Sequence, residues 1–545
     1  MSFFEKLDFN NAIRRIKTDR KNDPIIDITG YRDFFSSRDR VLEELEKNLN
    51  EIDRYSAKYG ISINIPKKNF TLRPAMIPKI EDRLLYQAIA DILIPHYTPE
   101  PLVFSNIPNP ITNSYIFKHG VESWLKFQDE IIKKCEEYDY VVETDITAYF
   151  EHISHRLLKS RLKDLFSEKL GNDDIRTVNI LLGKMLNRWG YSYLRGFGIP
   201  QINDVSSFFG NIYLDDLDKW LLKLDYPAFR YVDDIRIFTK DKYSARKALN
   251  ELIIKLRSMG LFISSAKTEI KESLIVLTDL LQRNEKLNQI DEELESRDEE
   301  RITEISKEIL NLVKENYQNG EIIDGRVFRF CINRLKRLKA TGIEEEIHDE
   351  VIPIVLSSLS SMPSSTDIFV DYLSMFPNNE DIQRNVVDFI NSEKNIYNWQ
   401  EMHLINYLIR SNISTKNWSR WRNYFVELAR SSDNLICSSY SIVLWGKNGD
   451  YSDRRDIREL YFNADNFKKR SIVIGIQEMQ KNERDNFYRE NCQTDFDVRF
   501  LVNYLEKLST PIYHYFNPPT GYEIFNYDIE DDSDDIRFLN VEDFS

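Results

Sequence analysis

The apolar positions in the first half of the chain include two short runs that end in aspartate. The first run begins at Val141 and ends at Asp145, and the second begins at Phe229 and ends at Asp233 and Asp234. Both runs are rich in Val, Ile, Tyr and Phe, which favour β-strands, and the residues around the second pair alternate with the two-residue period of a strand. The pattern therefore predicts two strands with carboxylates at their ends.

A different pattern begins near residue 300. Apolar residues recur there at three- and four-residue steps, as at Ile302, Ile305, Ile309 and Val313. This spacing is typical of amphipathic helices, and similar patterns continue past residue 480 with few strand signals. The second half is therefore predicted to be an all-α domain of antiparallel helix pairs. HEAT-like repeats are one form of such a domain, although no exact repeating motif is present.

Composition narrows the class of protein. Cys135, Cys331, Cys437 and Cys492 are widely separated and form no Cys/His cluster typical of zinc, so we expect free thiols in a cytoplasmic protein. No stretch approaches 18 apolar residues, which argues against a membrane span. The net charge of −15 is unusual for a protein that grips long duplexes. Residues 523–545 hold nine acids and one arginine, which predicts an acidic tail.

The two aspartate runs carry the most specific chemistry. A carboxylate at the end of a buried strand is costly unless something compensates its charge, and a metal ion is the usual compensation. Asp145, Asp233 and Asp234 together could hold two Mg²⁺ ions for in-line attack on a phosphate, as a nucleotide polymerase requires. Residues 213–216 are also Tyr-x-Asp-Asp, but they lie in a helical pattern. We expect those acids on the exposed face of a helix.

Six motifs, in order over roughly residues 70–270, resemble those of reverse transcriptases. The two aspartate runs resemble the first palm motif and the Tyr-x-Asp-Asp turn. Between them, residues 198–206 (Gly-Ile-Pro-Gln-Ile-Asn-Asp-Val-Ser) resemble the nucleotide-pocket motif Leu-Pro-Gln-Gly-x-x-x-Ser. The other three motifs, at 73–83, 114–120 and 260–268, resemble two fingers motifs and a later palm motif with its Lys-Thr.

The resemblance implies a two-metal site. Asp145, Asp233, Asp234 and the backbone carbonyl of Ile146 would hold two Mg²⁺ ions, with Mn²⁺ able to substitute. Asp234 is the weakest ligand among them, because the second acid of this turn often contacts metal loosely. Lys267 would protonate the leaving pyrophosphate; the competing interpretation is a solvated lysine on a strand.

The resemblance also implies a nucleotide pocket. Arg73 would bind the triphosphate through its bidentate guanidinium, with Arg83 and Lys79 as further candidates. Gln201 would line the pocket. Phe150 lies five residues after Asp145, where reverse transcriptases place an aromatic ring that excludes a 2′-OH, which favours dNTP substrates. The alternative is that Phe150 is an ordinary core aromatic.

The nucleotide-pocket motif departs from the family pattern. Ile202 stands where the family has Gly, and Ser207 stands where it usually has Pro. Glycine lets a backbone approach a ligand closely, whereas a β-branched side chain obstructs that approach. Handling of a templating base is therefore expected to differ from that of the family.

The predicted fold is α+β. Residues 66–280 would form the fingers and palm of a right-hand polymerase with the reverse transcriptase fold, and residues 281–522 the helical domain. Residues 1–65 would be an N-terminal extension packed on the fingers, and residues 282–300 a charged linker or long exposed helix. The acidic tail would follow the helical domain.

A polymerase core followed by a large helical domain resembles the bacterial abortive-infection and defence-associated reverse transcriptases. This resemblance implies anti-phage defence, homo-oligomers and, in some members, untemplated single-stranded DNA synthesis primed by a protein hydroxyl and left covalently attached. Two alternatives stay open. One is a templated enzyme that uses a partner non-coding RNA, and the other is a catalytically idle helical scaffold.

Overall fold

The computed structural model describes residues 3–20, 23–49, 55–109, 114–189, 195–281, 290, 299–341, 345–431 and 433–513. The chain divides into two compact units, and neither is continuous in sequence. The first comprises residues 1–25, 39–62 and 75–292, and the second comprises residues 26–38, 63–74 and 293–545. This division differs from the predicted boundaries, because two early segments belong with the C-terminal half. The predicted linker lies largely outside the described residues, and the acidic tail lies wholly outside them.

The first 280 residues mix helices and strands. In chain order these elements are α1 (Phe9–Asp19), α2 (Arg32–Ser36), α3 (Arg38–Leu49), β1 (Ile61–Pro66), β2 (Leu72–Ile77), α4 (Ile80–Leu93), α5 (Gly120–Glu137), β3 (Tyr140–Asp145), α6 (Tyr149–His152), α7 (His155–Leu170), α8 (Asn172–Trp189), α9 (Asp204–Leu221), β4 (Ala228–Tyr231), β5 (Asp234–Thr239), α10 (Lys242–Ser258) and β6 (Glu269–Glu272).

A four-stranded antiparallel sheet forms the centre of the first unit. Its strand order is β4–β5–β3–β6, so the strand that ends at Asp145 is an inner one. The second predicted run, residues 229–234, is divided between the outer strand β4 and the start of the inner strand β5, because a turn falls at Val232 and Asp233. Adjacent residues Val141 and Val142 on β3, and Ile237 and Phe238 on β5, are all fully buried. Both strands are therefore covered on both faces at these positions. Helix α10 covers part of both strands.

The N-terminal helix α1 packs against α4, which carries part of a predicted fingers motif. Arg15 of α1 forms an ion pair with Asp91 of α4 at 2.5 Å, and both side chains are nearly buried. Further along, Arg83 of α4 pairs with Asp19 at 3.0 Å and with Asp23 at 2.7 Å. Buried ion pairs of this kind fix one arrangement of two helices more than they add stability.

The second unit is mainly helical. It contains α11 (Glu299–Glu315), β7 (Tyr317–Gln318), β8 (Glu321–Ile322), α12 (Gly325–Thr341), α13 (Glu345–Ser357), α14 (Thr366–Leu373), α15 (Glu380–Ile390), α16 (Asn398–Arg410), α17 (Thr415–Arg430), α18 (Leu435–Asn448), α19 (Tyr451–Glu459), α20 (Asn466–Gly475), α21 (Lys481–Phe487) and α22 (Phe496–Leu505).

Alternate helices of this unit stack on one another. Helix α12 packs on α14, α14 on α16, α16 on α18, α18 on α20 and α20 on α22, while α11, α13 and α15 stack beside them. Such a stack of helix pairs is the arrangement of an α-solenoid. The predicted fold class, an α+β core with a large helical domain, is confirmed. The short β7–β8 hairpin is a local exception to the all-α prediction.

Residues 26–38 are anchored among the helices of the second unit. The guanidinium of Arg470 on α20 pairs with Asp33 at 2.7 Å and with Asp27 at 3.1 Å. The ring of Phe34 lies 6.0 Å from that of Phe500. Asp33 is fully buried, so its charge depends on Arg470 for compensation.

All four cysteines are buried and none forms a disulfide. Among the residues that the structure describes, none of the helices is both long and apolar enough to span a membrane.

Candidate active site

Three acidic residues lie at the ends of the two inner strands. Asp145 is the last residue of β3 and stands opposite Asp234, the first residue of β5. Asp233 lies in the two-residue turn between β4 and β5, and its carbonyl accepts a hydrogen bond from the N–H of Ile146 at 3.1 Å. The antiparallel register therefore places the predicted acids and Ile146 beside one another.

Two basic side chains contact these acids. The Lys267 ammonium donates a hydrogen bond to the Asp145 carboxylate. The Arg236 guanidinium donates to Asp234 and also lies 3.3 Å from the Glu143 carboxylate. Lys267 is thus placed at the cluster as predicted, although its side chain stays largely exposed.

Glu143, Arg236 and Lys271 were missed by the sequence analysis. Glu143 stands directly opposite Arg236 in the β3–β5 register, and Lys271 of β6 pairs with Glu143 at 2.7 Å. Glu143 precedes Asp145 by two residues, so both side chains lie on the same face of β3. The two-residue period could therefore have revealed this row of charges.

Burial and neighbouring carboxylates raise the pKa values of Asp233 and Asp234. Burial and the neighbouring Asp145 carboxylate raise the pKa of Asp233 to about 7. Burial also raises the pKa of Asp234 to about 6, against the opposing attraction of Arg236. Burial lowers the pKa of Lys267, but its hydrogen bond to Asp145 and the attraction of the Asp145, Asp233 and Asp234 carboxylates together outweigh burial, so the pKa lies above its usual value. Repulsion among buried carboxylates is what a bound cation would relieve.

The donor chemistry of this cluster fits Mg²⁺. Carboxylate oxygens at Asp145, Asp233 and Asp234 are hard ligands of the kind that Mg²⁺ prefers. Within the described residues, however, no three His, Cys, Asp or Glu side chains are arranged as a metal site. Lys267 and Arg236 bind two of the carboxylates, so a metal would have to displace those contacts. The three carboxylates are therefore suitable ligands for Mg²⁺ by their chemistry, but their present arrangement is not that of a metal site.

The predicted nucleotide-pocket loop leads directly into α9. Gln201 is buried, and Asn203 caps the helix by accepting a hydrogen bond from the Ser206 N–H at 2.8 Å. Between them, Ile202 has a φ of 62°, in the left-handed region that favours glycine. The loop therefore keeps the backbone conformation that Gly would adopt there, with a β-branched residue that strains it.

Phe150 lies beside this loop and is only half-buried. Its backbone carbonyl accepts a hydrogen bond from the N–H of Ile199, the second residue of the pocket motif, at 3.1 Å. The neighbouring Tyr149 is the true core aromatic, because it is buried and its hydroxyl donates to the Gly210 carbonyl at 2.6 Å. The Phe150 ring lies 5.1 Å from the Tyr149 ring, and its contact with a sugar stays a prediction.

The three residues predicted to bind the triphosphate lie in different segments of the chain. Arg83 is buried with its guanidinium bonded to Asp19 and Asp23, so it is not part of an exposed basic rim. Lys79 immediately precedes α4. Arg73 lies on β2, in the segment that belongs to the second unit. The roles of these three residues stay predictions.

The second Tyr-x-Asp-Asp sequence lies on α9, as expected for a helix. The expectation that both its acids face solvent is wrong. Asp215 is buried and pairs with Lys219 at 2.6 Å, whereas Asp216 is half-buried and pairs with Arg161 and Lys255. The apolar periodicity of α9 located the helix, but α9 is covered on more than one face, which periodicity alone does not show.

Comparison with known proteins gives a family match over part of the chain. Residues 65–286 match the family model described as reverse transcriptase (RNA-dependent DNA polymerase). Protein YkfC of Escherichia coli is 27% identical over 165 residues, which are 29% of this chain and 40% of that protein. The group II intron-encoded protein LtrA of Lactococcus lactis is 29% identical over 165 residues, 29% of this chain and 25% of LtrA. The chain thus spans well under half the length of either relative.

Two solved structures show a weak similarity to this chain. The apo telomerase of Candida tropicalis gives a TM-score of 0.29 at 11% identity, covering 71% of this chain and 65% of that one. The telomerase of Candida albicans gives 0.27 at 11% identity, covering 87% and 68%. These superpositions are too loose to support any conclusion.

Proposed function

We propose, from the match of residues 65–286 to the reverse transcriptase family model, that the protein is a DNA polymerase of the reverse transcriptase type, a nucleotidyltransferase that adds dNTPs. The observation that carries the proposal is the meeting of Asp145 with Asp233 and Asp234 at the ends of paired strands. Lys267 beside them supplies a protonated group.

Each residue of the cluster has a role in this proposal. Asp145, Asp233, Asp234 and the Ile146 carbonyl would hold two Mg²⁺ ions, which when bound supply acidity to the attacking hydroxyl and neutralise the triphosphate. Lys267 would leave Asp145 as metal binds and donate its proton to an oxygen of the departing pyrophosphate. Gln201 would line the nucleotide pocket and Phe150 would contact the sugar.

Replacing Phe150 with alanine is expected to lower the preference for dNTPs over ribonucleotides by about 10- to 100-fold, because removing a packed ring opens room for a 2′-OH. The measurement is kcat/KM for a dNTP and the matching rNTP. Phe150→Tyr, which keeps the ring, is the matched control and should discriminate like the parent. Unchanged discrimination in the alanine variant would assign Phe150 to the core alone.

We further propose that the protein acts in bacterial anti-phage defence as a homo-oligomer, and that it synthesises single-stranded DNA without a template, primed by one of its own hydroxyls. The resemblance to defence-associated reverse transcriptases, with their large helical domains, supports this. The net charge of −15 also suits an enzyme that holds one growing strand rather than a long duplex. Ile202, in place of the family's Gly, adds a side chain where a templated enzyme has none.

One observation favours a templated enzyme instead. Ile202 has a φ of 62°, in the left-handed region that glycine adopts readily, so the loop has a backbone shape that a Gly at this position could also take. Such a pocket would accept a template strand if the isoleucine side chain points clear of it. A partner non-coding RNA would then supply the sequence of the product.

Sequencing the DNA product distinguishes untemplated synthesis from synthesis on a partner RNA. The purified protein is treated with nuclease, supplied with Mg²⁺ and dNTPs, and the DNA is sequenced and tested for attachment to protein by protease digestion. DNA of biased composition, attached to protein and formed after nuclease treatment, is the expected result. A fixed sequence complementary to a co-purified RNA would favour the templated enzyme. No incorporation of any nucleotide would leave the helical scaffold as the better description.

A further inference from the structure

The turn that carries Asp233 has an unfavourable backbone. Tyr231 and Asp234 are paired, so Val232 and Asp233 alone make the turn between β4 and β5. Val232 has a φ of 53°, a left-handed conformation that β-branched residues rarely adopt. Such conformations are costly and persist only where surrounding contacts impose them. Something in the fold must therefore hold this turn.

Both polar groups of Val232 are held by buried side chains. Its N–H donates to the hydroxyl of Ser105 at 2.6 Å, and its carbonyl accepts from the Arg230 guanidinium at 2.7 Å. Ser105 is 1% exposed and Arg230 is fully buried. Residues 102–104 run beside β4, where their backbone exchanges hydrogen bonds with Arg230 at 2.9 and 3.0 Å. The turn is thus clamped on both sides.

The Arg230 guanidinium is itself fixed to α9. It donates to both oxygens of Asp218, each at 2.7 Å, and to the side-chain oxygen of Asn211 at 3.2 Å. Asn211 in turn donates to the Ser105 carbonyl at 3.0 Å, which closes a ring of contacts. Asp218 and Arg230 both have essentially no exposed side-chain surface. A planar five-donor fork can satisfy all these acceptors at once, whereas a lysine cannot.

We propose that Arg230 is a positioning residue that couples the metal-binding turn to the nucleotide-pocket helix. Helix α9 begins at the pocket loop and carries Asn211 and Asp218; Arg230 connects those two residues to the carbonyl that directly precedes Asp233. The geometry of the acids is thereby set by α9. Breaking the coupling displaces Asp233 from Asp145 without removing any metal ligand or pocket residue. In its catalytic consequence, this inference depends on the proposed polymerase function.

The test uses full-length Arg230→Lys, which keeps the charge and loses the fork. Mn²⁺ affinity, measured by calorimetry below the melting temperature of each variant, is expected to fall at least about tenfold, because displaced carboxylates cannot share one ion. The rate constant kcat for dNTP addition should fall by about 100-fold, as a 1 Å displacement commonly causes. The KM for dNTP should change little, because the pocket residues are untouched.

Two further variants keep the test decisive. Ser105→Ala removes only the partner of the Val232 N–H, so it should fold and show the same pattern at about tenfold in kcat. Asp216→Asn, which breaks only partly exposed ion pairs on the same helix, is the control and should match the parent. If folded Arg230→Lys and Ser105→Ala bind Mn²⁺ as tightly as the parent, the inference is overturned. If Mn²⁺ affinity falls as expected but the parent adds no dNTP, the proposed function fails and the positioning role stands.

Discussion

Asp233→Asn is expected to lower dNTP incorporation by at least about 1,000-fold, or roughly 4 kcal/mol of activation free energy, while the protein stays folded. The variant keeps the size and hydrogen-bonding capacity of the side chain and loses the charge that would bind metal. Its folded state should be no less stable, because burial and the Asp145 carboxylate oppose a charge on Asp233 in the absence of metal. Loss of activity without loss of stability is the signature of a functional acid.

The chain supplies a matched control for this experiment. Asp216 also belongs to a Tyr-x-Asp-Asp sequence, but it lies on α9 and pairs with Arg161 and Lys255. Asp216→Asn should retain nearly full activity, because it breaks only partly exposed ion pairs. Single-nucleotide incorporation and thermal unfolding of both variants give the comparison. Substantial incorporation by a well-folded Asp233→Asn would rule out the metal assignment.

Arg470→Met is expected to destabilise the protein by about 3–5 kcal/mol, because it leaves the fully buried Asp33 without a compensating charge. The guanidinium also donates to the Thr29 hydroxyl at 3.3 Å and lies 4.9 Å from the centre of the Phe34 ring. Those contacts would be lost together. Residues 26–38 should then detach from the helices at lower denaturant concentration than in the parent.

Urea unfolding followed by circular dichroism measures this effect, and hydrogen exchange at residues 26–38 locates it. The control is Arg430→Met, because Arg430 and its partner Asp456 are each about half exposed and such pairs contribute about 0–1 kcal/mol. The double variant Arg470→Met with Asp33→Leu should recover much of the loss, since it removes the stranded charge as well. Equal stability of Arg470→Met and Arg430→Met would show that the buried pair is not an anchor.

The acid cluster was predictable in part because its signals are local. The apolar runs at residues 141–145 and 229–234 mark the strands that carry the acids, and the antiparallel pairing of β3 with β5 sets Asp145 opposite Asp234. The row formed by Glu143 and Arg236 follows from the same two-residue period once the register is known. The sequence does not state the register, so these partners could not be assigned from it alone.

Other features depend on contacts that no local pattern records. In the sequence, Arg230 is one residue of an otherwise apolar strand, and nothing beside it indicates a role. Its proposed positioning role depends on its contact with Asp218, which lies on α9, and the acids of that helix considered in the sequence were expected to face solvent. The left-handed φ of Ile202 could not be predicted from the sequence either. A glycine at this position would have indicated such a conformation, whereas an isoleucine does not. That residues 26–38 belong to the second unit could not be predicted for the same reason. Neither Asp33 nor Arg470 stands out within its own segment of the sequence.

The distance between those two residues along the chain has a consequence for synthesis of the protein in the cell. Asp33 and Arg470 are separated by 437 residues, which a ribosome takes roughly 20 to 90 s to translate at about 5–20 residues per second. Throughout that interval the segment 26–38 has left the ribosome while its binding partner does not yet exist. Its aromatic residues are then available to chaperones or to neighbouring nascent chains. The protein is therefore most prone to misassembly while its chain is still being synthesised, before Arg470 is available to bind Asp33.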